Sequence, residues 1–186
     1  MTELWLVRHG QTDWNIAGRY QGQADIPLNE AGIQQANQAA TKLVGKTFSA
    51  LYSSDLSRAY RTAEIISISV GLPVRIDQRL REINQGSWEG LNYKQVVARF
   101  SPKEELSIED ITNERAPGGE SIYQVAERMK LAANDIAAQH NGDAVLVVSH
   151  GLAIATLICL ANQYPLHTVY EHIIGNAEPA VIQWAL

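Results

Sequence analysis

Two stretches of the chain, ELWLVRHG at residues 3–10 and AVLVVSHG at residues 144–151, share one build: a short apolar run rich in branched side chains, then histidine and glycine. Runs such as Glu3 to Val7 and Ala144 to Val148 suit strands buried on both faces of a parallel sheet. Phe48 to Tyr52 and Val74 to Ile76 are weaker strand candidates, and Ala180 to Ala185 adds a late one. Helical periodicity fills the intervals. Ile33, Ala36, Ala40, Leu43 and Val44 form one apolar stripe; Leu56, Ala59, Tyr60, Ala63 and Ile66 form a second. A third runs from Ile122 through Val125, Ala126, Met129, Ala132, Ala133 and Ile136 to Ala137. Asp55 is the expected N-cap of the second helix and Gly71 its stop; the third follows the turn-forming PGGES and ends before Asn141 and Gly142. Strand alternating with helix predicts an α/β fold, a three-layer sandwich whose mainly parallel central sheet is flanked by helices. One domain over residues 1–186 is expected, with residues 90–119, more polar and irregular, as a small lid segment over one rim.

Composition limits the function. The chain has 186 residues, 46% apolar and 19% charged, with a formal net charge of −5 and no run of like charges. Nucleic-acid binding is disfavoured, whereas a small anion needs only a few converging arginines. The single cysteine, Cys159, lies in LAIATLICLA and reads as core, which excludes an internal disulfide and any multi-cysteine metal site. No apolar run is long enough for a membrane span or a signal peptide, so a cytoplasmic protein with no membrane partner is expected.

In open α/β sheets the ligand crevice lies beyond the carboxyl ends of the strands. His9 and His150 both fall there, each before a glycine that permits a sharp turn and close backbone approach. His150 also precedes a helix whose first N–H groups, at Gly151 and Leu152, suit an anion. Arg8 adjoins His9. Arg58 sits in the first turn of its helix, where the dipole disfavours a cation, and a ligand anion would explain the placement; pairing with a neighbouring acid is the plain alternative. For Glu82 the plain alternative is an ion pair with Arg79 or Arg81.

LVRHGQTDWN, YSSDLSRAYRTAE, LREINQGSWEG and VVSHG occur in this order along nearly the whole chain. Together they resemble the histidine phosphatase superfamily, the phosphoglycerate mutase-like family, and its short phosphatase branch in particular. The resemblance implies the phosphoglycerate mutase-like fold and a phosphomonoesterase that hydrolyses a small phosphorylated metabolite through a phosphohistidine on His9. It implies Arg8, Arg58 and His150 around the phosphate and Glu82 as proton donor, with Asn15, Gln21, Gly22, Gly151 and Leu152 as supporting contacts. No cofactor and no metal is implied. The five histidines, His9, His140, His150, His167 and His172, match no metal-site spacing.

These residue types suit the chemistry. Phosphoryl transfer needs an in-line nucleophile, neutralisation of three equatorial oxygens and a proton for the departing alkoxide. Two guanidinium forks fix oxygen directions better than lysine would, and they disfavour protonation of the attacking imidazole. His150 is expected to be protonated when it faces a bound dianion. The 30 residues from Gly90 to Gly119, the loop RYQGQADIPL and a chain that stops just after VIQWAL favour hydrolase over mutase. Phosphoglycerate mutase and a non-catalytic phospho-ligand or protein-binding module are the alternatives. Tyr20, Gln21, Gln23, Gln85, Trp88 and Tyr93 are candidates for the outer pocket, and Arg19, Arg79, Arg81, Lys94 and Arg99 for further basic groups. The substrate and the oligomeric state are not legible, a homodimer being one arrangement open to the chain.

Overall fold

β1 (Thr2–Arg8) and β4 (Ala144–Ser149) lie side by side and parallel, in register from Glu3 opposite Ala144 to Arg8 opposite Ser149. The computed structural model describes residues 1–100, 112–113 and 115–185. β2 (Ala50–Ser53) pairs in parallel with β4 on one side and with β3 (Val74–Ile76) on the other. β5 (Pro179–Trp184) runs antiparallel along β1, which gives the order β3-β2-β4-β1-β5. The strands stand where the apolar runs predict them, with β2 beginning at Ala50. Phe48 instead packs edge-on against Trp5, ring centroids 5.6 Å apart.

Because side chains alternate across a strand, the central runs feed two cores at once. Leu4, Leu6, Val145 and Val147 pack with α5 (Ile122–Gln139) and α6 (Gly151–Asn162) on one face; Val7, Leu51, Leu146 and Val148 pack with α2 (Glu30–Leu43) and α3 (Ser57–Val70) on the other. Each fully buried leucine contributes roughly 2 kcal/mol. This is the three-layer sandwich, with a mainly parallel sheet in the middle. Cys159 is fully buried on α6, in the core as expected.

α5 starts with a capping box between Ser121 and Gln124, and α3 ends at Gly71 in the left-handed region, φ 70°. The N-cap expected of Asp55 does not form. Leu56 occupies the cap position with no side-chain bond, because the Asp55 carboxylate is held by Arg81, 2.7 Å from Nε and 2.5 Å from Nη2. The bidentate pair is the stronger claim on that carboxylate. Asp25 serves the helix from outside, accepting from Ser57 N–H at 2.7 Å. Of residues 90–119, α4 (Tyr93–Phe100) is a helix, following a short α1 (Asp13–Ile16) and an antiparallel bridge between Arg19 and Asn92. Residues 101–111 and 114 of the expected lid lie outside the described residues.

Among the described residues no single helix is long and apolar enough to cross a membrane.

Candidate active site

The parallel pairing of β1 with β4 sets the site, because adjacent strand ends deliver His9 and His150 side by side. Their ring centroids are 5.2 Å apart, with His9 3% exposed and His150 fully buried. His9 Nδ1 lies 2.6 Å from the Gly10 carbonyl, which can only accept, so that nitrogen carries the proton and Nε2 keeps the lone pair. Asn176 Nδ2 donates to the His9 carbonyl at 2.9 Å and fixes the backbone beneath. The glycines act differently from the expectation. Gly10 N–H donates to Thr62 Oγ1, and a Cβ on Gly10 would meet the Gly32 carbonyl at 2.3 Å, so smallness here admits helix α2 rather than a ligand. A Cβ on Gly151 would press on the Arg8 guanidinium at 3.3 Å.

Arg58 is fully buried in the first turn of α3 and makes no salt bridge among the described residues, so the neighbouring-acid alternative does not apply. Its Nη1 and Nη2 donate to the Ala24 and Gly22 carbonyls, both at 2.7 Å. Arg8 donates to the Ile174 carbonyl at 2.8 Å. Burial pulls both guanidiniums down from their ordinary value, and the Glu82 carboxylate opposes the pull. Five buried side-chain polar atoms among the described residues have no hydrogen-bond partner; three of them are Arg8 Nε, Arg58 Nε and His150 Nδ1. Three orphaned buried nitrogens, two of them on guanidiniums whose charge Glu82 opposes only in part, are costly without an acceptor.

Glu82 follows the 3₁₀ turn Gln78–Leu80 and engages neither Arg79 nor Arg81; Arg79 pairs with Asp77 and Asp135, and Arg81 with Asp55. Glu82 Oε1 accepts from Ile83 N–H at 2.9 Å and Ala153 N–H at 3.1 Å, and Oε2 from Leu152 N–H at 3.2 Å. The N-terminus of α6 therefore receives an internal carboxylate, and Leu152 N–H, expected on the ligand, is taken by Glu82. Arg128 on α5 fixes the backbone of this segment, donating to the carbonyls of Arg79, Arg81 and Glu82 at 2.7 to 2.9 Å, and is itself clamped by Glu120.

A cavity of about 190 Å³ is lined by Arg8, His9, Arg58 and Glu82 and by Asn15, Gln21, Gly22, Gly151 and Leu152; the fully buried His150, beside His9, is not among its lining residues. Asn15 Oδ1 accepts from the Thr12 N–H and Gln21 Oε1 from the buried Thr12 hydroxyl, both at 3.0 Å, so each amide keeps its NH₂ for a ligand. Gly22 has φ 52°, and a Cβ there would meet Glu89 Oε1 at 2.2 Å; only glycine fits this turn. Of the outer candidates, Arg19, Tyr20 and Gln85 line the cavity; Gln23, Trp88 and Tyr93 do not, and Trp88 packs against Tyr20 with ring centroids 5.8 Å apart. Tyr170 and Ile173, from the 3₁₀ helix Leu166–His172 and the residue after it, also line it. Those two, with Asn176 and Arg128, lie in segments with no strand-end or motif signal; Thr12 and Ser54 stand inside LVRHGQTDWN and YSSDLSRAYRTAE, but nothing in those stretches singles them out as partners of other site residues.

Burial first, then Arg58, holds both His9 and His150 well below the ordinary histidine value; Arg8 adds to this in each, and the Gly10 hydrogen bond opposes it in His9. In the free site, then, His150 is pushed towards neutrality, opposite to what a bound dianion would do. The unfolded chain titrates these rings near about pH 6.5. Their contribution to stability is complete above that pH and is lost as the pH falls from there through the folded-state values, because the unfolded state takes up protons first. The expected slope reaches about 1.4 kcal/mol per pH unit for each ring. Urea melts from about pH 7.5 to about pH 5 test it against the unperturbed range: wild type should weaken on acidification, and His9→Ala less steeply.

The sequence model of the histidine phosphatase superfamily (branch 1) matches residues 4–185. A probable phosphoglycerate mutase of Escherichia fergusonii is 39% identical over 158 residues, 85% of this chain and 74% of that protein. One from Proteus mirabilis is 38% identical over 171 residues, 90% and 78% of the two chains. Among solved structures, a mycobacterial glucosyl-3-phosphoglycerate phosphatase has a TM-score of 0.87 at 36% identity, covering 96% of this chain and 91% of that one. A phosphoserine phosphatase of Entamoeba histolytica in complex with phosphoserine has a TM-score of 0.82 at 30% identity, covering 97% and 90%. The likeness spans the strands that carry both histidines as well as the helices between them, and the chain belongs to branch 1 of the histidine phosphatase superfamily.

Proposed function

We propose that the protein is a metal-independent phosphomonoesterase that hydrolyses a small phosphorylated metabolite in the cytoplasm through a phosphohistidine on His9. One observation carries this reading: His9, with Nε2 unprotonated, lines one cavity with Arg8 and Arg58 and has His150 5.2 Å away, and each of those three neighbours keeps a buried nitrogen with no partner among the described residues. Nε2 attacks phosphorus in line as the ester P–O bond breaks, while the guanidiniums and His150 take the charge of the equatorial oxygens. The departing oxygen receives a proton from Glu82. Oε2, with one backbone donor against two on Oε1, is the oxygen with room to carry it. In the second half-reaction the Glu82 carboxylate takes a proton from water, hydroxide attacks phosphorus and the N–P bond breaks, which restores His9 and Glu82 and releases inorganic phosphate.

The named curated relatives are probable mutases and the named solved ones are phosphatases, so the competing reading is transfer to a second hydroxyl. A kinetic screen of phosphate esters separates them, with 3-phosphoglycerate run with and without a bisphosphoglycerate primer. Phosphate release should exceed isomerisation under both conditions; the reverse would make the protein a mutase. Among the described residues no three His, Cys, Asp or Glu side chains converge as a metal site. Activity should accordingly survive prolonged treatment with EDTA. Loss that is reversed by adding a divalent metal would refute metal independence.

A further inference from the structure

We infer that Ser54 is a positioning residue that sets the tautomer of His150, placing its proton on Nδ1 and so turning that nitrogen into a donor to the phosphoryl group. The inference rests on the proposed phosphatase reading for its functional half, while the tautomer itself is a property of the free protein.

Ser54 directly follows β2, the strand beside β4, and its own N–H donates to the Val148 carbonyl at 3.0 Å. It is fully buried, and its Oγ lies 2.9 Å from His150 Nε2. The same oxygen accepts from Leu56 N–H at 3.3 Å. A hydroxyl has one hydrogen to place, and among the described residues His150 Nε2 is the one acceptor within reach of it. If Nε2 carried a proton, two donors would point at the serine oxygen and the buried hydroxyl hydrogen would be left unsatisfied, which is costly. The arrangement that satisfies every group has Ser54 O–H donating to an unprotonated Nε2. Neutral imidazole then bears its hydrogen on Nδ1, the buried atom that has no partner among the described residues. The His9 ring lies 5.2 Å away, centroid to centroid, so this N–H is the donor that His150 has left for an oxygen of a phosphoryl group on His9. In the opposite tautomer Nδ1 would present a lone pair to a phosphate oxygen and repel it.

The test is a long-range ¹H–¹⁵N correlation spectrum of the free enzyme labelled at histidine, above neutral pH, with His150 assigned from the His150→Asn variant. His150 should show a protonated Nδ1 and an unprotonated Nε2. In Ser54→Ala the ring should move towards the Nε2–H form, and inorganic vanadate affinity and kcat/KM should both fall about 10- to 100-fold. Ser54→Thr, which keeps the hydroxyl, should restore the tautomer. A wild-type ring protonated on Nε2, or a ring unchanged in Ser54→Ala, overturns the inference. Should Ser54→Ala not fold, the wild-type spectrum alone decides. A failure of the phosphatase reading would show differently, as absent turnover with the tautomer as stated.

Discussion

His9→Ala should leave a folded protein that still binds vanadate but turns over no ester, with a rate loss on the order of 10⁴-fold or more. Removing the imidazole deletes the unprotonated Nε2 that the proposed mechanism uses as nucleophile, whereas Arg8, Arg58 and His150 remain to hold an anion. Vanadate affinity should therefore change little. Wild-type enzyme quenched in alkali or by denaturant during turnover should carry phosphate that is labile in acid, and His9→Ala should carry none. The measurements are a stopped assay with a phosphorylated metabolite, mass spectrometry of the quenched protein and vanadate titration. Turnover within tenfold of wild type, or labile phosphate persisting in the variant, would mean that another group attacks.

The sequence makes this much legible because the site is built from strand ends. Two runs of five residues each specify β1 and β4, and their apolar character on both faces marks them as central strands. His9 and His150 then follow by position alone, and Arg58 stands out through a charge placed against a helix dipole. What lies outside that logic could not be read. Asp55 looks like a cap from local pattern, yet the partner that claims it, Arg81, is set by the path of residues 77–82 across the sheet edge. Arg128 holds the Glu82 backbone from α5, some 46 residues on, and nothing in IYQVAERM marks one arginine as facing inward. Thr12 and Ser54 act by satisfying polar atoms of other site residues, a relation that exists only once the strands are side by side. The N–H groups at the start of α6 suit an anion, but the acceptor on Leu152 is Glu82 rather than a ligand, which only the three-dimensional path reveals.

That contact makes Glu82→Gln the second decisive variant, because the proposed mechanism adds a proton-donor role to the hydrogen bonds Glu82 makes at α6. As a proton donor it matters in proportion to the basicity of the leaving oxygen; as a hydrogen-bonded cap on α6 it matters equally for every substrate. The amide keeps the shape and one acceptor oxygen, which can stay at the Oε1 position between Ile83 and Ala153 N–H. Its NH₂ then faces Leu152 N–H, a donor against a donor, and stability should fall by about 1 kcal/mol. For an alkyl ester such as a sugar or hydroxy-acid phosphate, kcat should drop roughly 10²- to 10⁴-fold with KM near wild type, the usual worth of a general acid. p-Nitrophenyl phosphate leaves as a stable phenolate and needs no proton, so its first half-reaction should be nearly spared. Labile phosphate should then build up on His9 with that substrate, since the second half-reaction lacks its base. Burst kinetics with both esters measure this directly. Equal losses on the two, with no burst and no accumulation, would reduce Glu82 to the cap of α6 and leave the proton to come from elsewhere in the cavity.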